Sequence, residues 1–188
     1  MKAEGWLCRG LISLVIVVFM IGGCNPVPNS PEARNILSAQ VKETIVLMKA
    51  QDSTVNKFFE KSYGYAVLPK VFKGAFWIGG AGGKGEVYEQ QTMVGYCSMT
   101  QATLGFSFGG EFFREIIFFR DKEDLDRFRA DEYVFSAQVT GVALTTGAAA
   151  KADYKSGTAV FVMADKGLMV DASLGGQKLN YMPKALIK

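Results

Sequence analysis

The chain has no histidine among its 188 residues. That absence removes the commonest general base, the Ser-His and Cys-His nucleophile pairs and most zinc sites together. Carboxylates, glycines and cysteines remain. Glu111 and Glu115 are four apart, and Phe112 to Phe119 reads as a strand. On a strand that spacing puts both on one face, where they are expected to be solvated rather than to form an acid–base pair. Asp121, Glu123, Asp124 and Asp126 resemble a calcium loop at first sight, but they lack the glycine and the closing glutamate of EF-hand spacing. They read as the acidic first turn of a short helix reaching Phe128 and Arg129, with Asp121 as its cap. No catalytic residue, metal site or cofactor is expected.

Gly80-Ala81-Gly82-Gly83-Lys84-Gly85 satisfies G-x-G-x-x-G. A dinucleotide fold requires the last glycine to open a helix whose N-terminus faces a pyrophosphate. The next residues, Glu86 to Gln90, alternate like a strand instead. The Walker pattern fails as well, because Ile78 stands at its first glycine and Gly85 replaces its Ser/Thr. The run is read as a glycine-lined hairpin, in which missing side chains allow close backbone approach.

The three cysteines are Cys8, Cys24 and Cys97. Lys2 and Arg9 form a basic n-region, Leu11 to Ile21 an apolar stretch broken only by Ser13, and Gly22-Gly23 supply small residues for cleavage. The apolar run is shorter than the roughly 20 residues a membrane span needs. Ile21-Gly22-Gly23-Cys24 resembles the bacterial lipobox, in which the cysteine is alkylated with diacylglycerol before cleavage and its freed amine is then acylated. Residues 1–23 are thus expected to be a lipoprotein signal peptide and Cys24 the lipidation site. Residues 24–32 follow as a proline-rich extended tether, and residues 33–188 as one domain. Asn25 is not the Asp that resembles an inner-membrane retention signal, which favours the periplasmic leaflet of an outer membrane. With Cys8 in the leader and Cys24 acylated, Cys97 has no disulfide partner and reads as a small buried hydrophobe.

These residues have to be held by a core. An apolar fraction of 49% against 21% charged residues is that of a folded domain. The formal charge of +3 is too small to argue for nucleic acid. From Ala33 to about Ala50, Leu37, Val41, Ile45 and Met48 recur at helical spacing, with Pro31 just ahead as a start signal. Asp52 or Ser53 caps a second short helix carrying Val55, Phe58 and Phe59. Beyond Tyr63, short aromatic and β-branched segments are punctuated by glycine: Tyr65–Leu68, Phe72–Ile78, Glu86–Tyr88, Met93–Cys97, Thr103–Phe108, and later Val139–Leu144, Thr158–Met163 and Leu168–Ser173. Long parallel crossovers are missing. The expected fold is α+β and mostly β: an antiparallel sheet or barrel-like core with an N-terminal amphipathic helical arm and one short internal helix.

The stretch from Gly64-Tyr65-Ala66-Val67-Leu68-Pro69-Lys70 through Val71-Phe72-Lys73-Gly74-Ala75-Phe76-Trp77 to the glycine run ending at Gly85 resembles the signature of the SYLF domain family. Gly105 to Glu111 and Gly167 to Gly176 resemble two further segments of that family, in the same order, so the resemblance covers roughly residues 33–183. Asp171 and Phe106 depart from the family's usual glycine and Ser/Thr. Eukaryotic members of that family sit in endocytic adaptors and bind phosphoinositides, and many bacterial members are predicted lipoproteins. The resemblance implies non-catalytic binding of anionic phospholipid headgroups. Lys70, Lys73 and Lys84 would meet the headgroups and Trp77 would sit at the interface, near exposed glycine turns. The arm is expected to pack on the β core rather than lie on the bilayer. The alternative is a structural or partner-binding envelope lipoprotein with no lipid beyond its own anchor.

Overall fold

Ser30 opens the first helix. Its hydroxyl accepts from the Ala33 amide at 3.1 Å, and Pro31 takes the first helical position, where a missing N–H costs nothing. Helix α1 (Pro31–Gln51) therefore starts slightly earlier than the apolar spacing suggests, with Pro31 inside it. The structure, a computed structural model, describes residues 25–76, 78–104, 109–130, 134–135, 142–143, 145–164 and 177–187. Asp52 ends α1 and caps a 3₁₀ turn (Ser53–Val55) that leads into α2 (Asn56–Lys61). Its second carboxylate oxygen accepts from the amide of Ala149 at 2.8 Å. That bond ties this corner to the one-turn helix α4 (Ala148–Lys151).

Four long strands follow: β1 (Gly64–Phe76), β2 (Ile78–Glu89), β3 (Thr92–Leu104) and β4 (Gly109–Phe119). After them come α3 (Lys122–Arg129), β5 (Val134–Phe135), β6 (Val142–Ala143), α4, β7 (Thr158–Ala164), β8 (Gln177–Pro183) and a 3₁₀ turn (Lys184–Leu186). They build one sheet in the order β5-β8-β3-β2-β1-β4-β7-β6. Among the described residues all pairings are antiparallel except β6 with β7 at the edge, a parallel pairing that the sequence does not announce. The fold is α+β, mostly β, with its main helix at the N-terminus. Among the described residues no helix is long and apolar enough to cross a membrane.

Both sheet faces are buried along much of their length. On one, α1, the turn after it and α2 place Leu37, Val41, Met48, Phe58 and Phe59 against Tyr65, Val67, Ile116, Phe118 and Phe161. The arm thus packs on the core. Phe58 meets Phe161 edge-on at 4.9 Å and Phe59 meets Phe118 at 4.8 Å; such pairs add about 0.5–1.5 kcal/mol each beyond area burial. The other face carries Leu68, Val71, Met99, Ile117 and Leu179, closed over by Leu125 and Phe128 of α3. Asp121 caps α3 through the Asp124 amide at 3.0 Å, with Glu123 and Asp124 in its first turn, so the acidic run is a helix start.

The sheet curls strongly toward this second face. Strands β3, β2 and β1 lie between β8 and β4, which in a flat sheet would hold them roughly 19 Å apart at ~4.8 Å per strand. Yet Gln177 on β8 donates from Nε2 to Glu115 Oε2 on β4 at 3.3 Å. Glu115 is fully buried, which corrects the expectation of a solvated carboxylate. Alternation along β4 puts it with Phe113 and Ile117 on the inside of the curl.

Several strands are longer than the sequence segments that signal them. Tyr65–Leu68 and Phe72–Phe76 belong to one strand, β1. Met93–Cys97 and Thr103–Leu104 belong to β3, and the glycine run lies within β2 rather than in a turn. Strand β8, with its polar sequence QKLNYMP, carries no strong strand signal, and neither β5 nor α4 is announced. Phe106 and the segments Gly105–Phe108 and Leu168–Ser173 lie outside the described residues, as do Asp171 and Val139 to Gly141.

Candidate functional site

Pro69 shapes the candidate site. It has no N–H to give a ladder, and β1 is hydrogen-bonded on both sides, so a bulge is where such a residue fits. The register of β1 shifts between Val67 and Lys70 against β2, and between Leu68 and Val71 against β4. The shift inverts the alternation. Val67 faces α1, and three residues on, Lys70 and then Phe72 take that same outer face while Val71 turns inward and is fully buried.

Beyond the start of α1 this outer face is open. Phe72 is 48% exposed and Phe112, its register partner on β4, 38% exposed; the rings lie 5.2 Å apart. The ammonium of Lys70 sits 4.4 Å from the centre of the Phe112 ring. Lys84 on β2 is directly opposite Lys70 in the register. Like charges so placed repel. Lys70 is steadied by the ring, and Lys84 donates to the carbonyl of Val27 at 2.9 Å. Phe72 faces Gly82 on its other side, so no side chain of β2 covers it there. The face thus carries two ammonium groups beside two half-exposed rings. Such a surface can hold a phosphate-type anion and seat apolar rings below it.

Two positions farther along β2, Glu86 is buried beneath α1. It accepts from the hydroxyl of Ser38 and, at 2.7 Å, from Tyr88. Burial and that bond to Glu86 push the Tyr88 hydroxyl well above its ordinary range. This network fixes the start of α1 on β2 next to Lys84.

The residues selected from sequence divide. Lys70 and Lys84 come together on the open face. Lys73 is half-buried and shares the inward phase of Val71, so it does not join them. Cys24 and Trp77 lie outside the described residues. Nor do the glycines near the lysines form exposed turns. Gly83 and Gly85 face inward, where a Cβ on Gly83 would come 2.8 Å from the Lys70 carbonyl oxygen and one on Gly85 2.9 Å from the Val67 carbonyl carbon. Close approach of β2 to the bulged strand is what these glycines permit.

Sequence reasoning missed three features. The Phe72–Phe112 pair is legible only once the bulge is known. Glu115 and Gln177 are far apart in sequence, and only the curl joins them. Burial pushes the Glu115 carboxyl up to about 7, the bond from Gln177 acting the other way, and Oε1 of each side chain is buried without a partner. Finally, the segment expected as a free tether is not free: Pro26 and Pro28 are buried, and Val27 packs against the α1-side cluster. Among the described residues no group of three or more His, Cys, Asp or Glu side chains could hold a metal ion.

No family model matches the chain. Over 148 residues it is 28% identical to Beta cell expansion factor A of Aeromonas veronii, an overlap covering 78% of this chain and 56% of that protein. The chain thus spans little more than half the length of the curated relative it resembles.

Proposed function

We propose that this protein is a lipid-anchored module of the bacterial cell envelope, of the SYLF type, that binds anionic phospholipid headgroups and performs no chemistry. Cys24 carries the anchor, and the periplasmic leaflet of the outer membrane is its place. The observation that carries the reading is the Lys70–Lys84 cross-strand pair beside the exposed Phe72–Phe112 rings. A like-charge pair at this position is favourable when an anion bridges it, and near a membrane surface each basic residue contributes on the order of 1 kcal/mol. Sedimentation of residues 25–188 with vesicles tests it. Binding to phosphatidylglycerol-containing vesicles well above binding to phosphatidylcholine is expected at low salt, and equal binding to both refutes headgroup recognition.

A partner-binding lipoprotein is the second reading, favoured by one observation: Ile36 and Val46 on α1 are 60% and 66% exposed. Crosslinking from these positions in intact cells that recovers one envelope protein, with no lipid retained by the purified domain, would select it.

A further inference from the structure

From Pro26 onward the chain is already part of the folded body. Asn25 is exposed, its side-chain oxygen accepts from the Val27 amide at 3.0 Å, and Pro26 and Pro28 are buried. Lys84 holds the Val27 carbonyl, and Ser30 already caps α1. One exposed residue separates Cys24 from the first buried one, a span of roughly 7 Å at ~3.5 Å per residue. A flexible linker would let the body tumble above the bilayer; this segment gives it almost no slack.

The place of entry matters as much as its shortness. Lys84, which grips the segment, is one strand from Lys70 and two from Phe112 on the same outer face. Strands are ~4.8 Å apart and residues ~3.3 Å apart along them, so the backbone of Lys84 lies roughly 8 Å from that of Phe72 and roughly 12 Å from that of Phe112.

We infer that Asn25–Pro28 is a clamp rather than a tether, and that it holds the Lys70, Phe72 and Phe112 face flat against the lipid surface in which Cys24 is anchored. The occupant of this open face is the bilayer itself. Phe72 and Phe112 sit at the headgroup–acyl boundary, and the two lysines lie at the phosphate level, as amphipathic surfaces do at membranes. The inference rests on the proposed anchoring at Cys24 and adds a single fixed orientation to it.

The test uses the full-length, lipidated protein reconstituted in neutral phosphatidylcholine vesicles, where headgroup charge does not contribute. A Phe72→Cys variant is labelled with an environment-sensitive fluorophore. Cys97 is buried, so the probe reports position 72. Lys122→Cys, on the exposed side of α3 at the opposite end of β1, is the control. The expected result is blue-shifted emission at position 72 that brominated acyl chains quench and aqueous iodide does not, with the reverse at position 122. A flexible insert of about ten Gly/Ser residues between Cys24 and Asn25, which spans roughly 17 Å, is expected to restore iodide quenching at position 72. Iodide quenching at position 72 without the insert, in protein that floats with the vesicles, overturns the orientation but leaves the anchor standing. Continued protection after the insertion shows that affinity and not the clamp holds the face, which also overturns it. Protein that lacks acyl mass and stays in the aqueous phase overturns anchor and orientation together.

Discussion

Gln177 donates to Glu115 across the inside of the curled sheet at 3.3 Å, and each keeps one buried oxygen without a partner. A carboxylate so placed is better off protonated, because its charge is desolvated and, among the described residues, Gln177 is the one donor that reaches it. Its carboxyl is pushed up to about 7 from an ordinary value of 4.5. The unfolded chain therefore loses its proton first as pH rises, and stability falls between about pH 4.5 and 7, with the full cost present above 7.

Glu115→Gln removes that titration while keeping shape and hydrogen bonding. It is expected to raise the melting temperature at pH 8, by the equivalent of about 2–3 kcal/mol, and to change it little at pH 4.5. Thermal unfolding followed by circular dichroism at the two pH values checks this. An equal effect at both would show that the carboxyl is not desolvated.

Asp52 has the opposite sign. Burial raises its pKa, but the Thr54 hydroxyl and the amides of Ala149, Thr54 and Gly147 outweigh that and hold it below its ordinary 3.8. Its contribution is therefore present at neutral pH and fades as pH falls below about 4. Asp52→Ala is expected to cost about 2 kcal/mol at pH 7, since it removes a cap and leaves buried amides unmet. Urea titration of both proteins at pH 7 and pH 3 should show the gap narrowing in acid.

The glycine run separates into two phases. Gly83 and Gly85 have no room for a Cβ, whereas Gly80 and Gly82 are exposed and would meet only a carbonyl oxygen at 3.5 Å. Gly85→Ala is expected to destabilise the fold by more than about 2 kcal/mol, as an overpacked backbone contact does. Gly82→Ala should stay within about 0.5 kcal/mol. Comparable losses from the two would refute the close approach of β2 to the bulge.

Lys70 makes its contact with an exposed ring and no buried hydrogen bond. Lys70→Gln is therefore expected to fold normally and to weaken binding to anionic vesicles about fivefold, the equivalent of about 1 kcal/mol. The difference should shrink as salt is raised. Vesicle titrations at low and physiological salt measure both effects.

What could be read from sequence is what depends on near neighbours. Leu37, Val41 and Met48 mark the buried stripe of α1, and Asp121 and Asp52 begin the turns they cap. The strand character of the centre of the chain follows from its aromatic and β-branched residues. The bulge at Pro69 that turns Lys70 and Phe72 outward could not be read from sequence, because it requires strands on both sides of that residue. Strand β8 has no marked strand signal and is held by pairing with β3, some eighty positions earlier. Glu115 lies inside because the sheet curls, a property of eight strands together and of no single segment. The lysines selected from one contiguous stretch fell on two faces because Lys70 and Lys73 are an odd number of residues apart on one strand beyond the bulge.

Cys97 lies at the centre of β3 with no solvent exposure, and burial pushes its thiol up. Its sulfur is therefore sealed away while the sheet is intact, and every encounter with a thiol reagent must wait for the strands around it to part. The chain thus carries its own clock. The rate at which a maleimide reaches the Cys97 sulfur in the native protein times the opening of the fold, without any label built in.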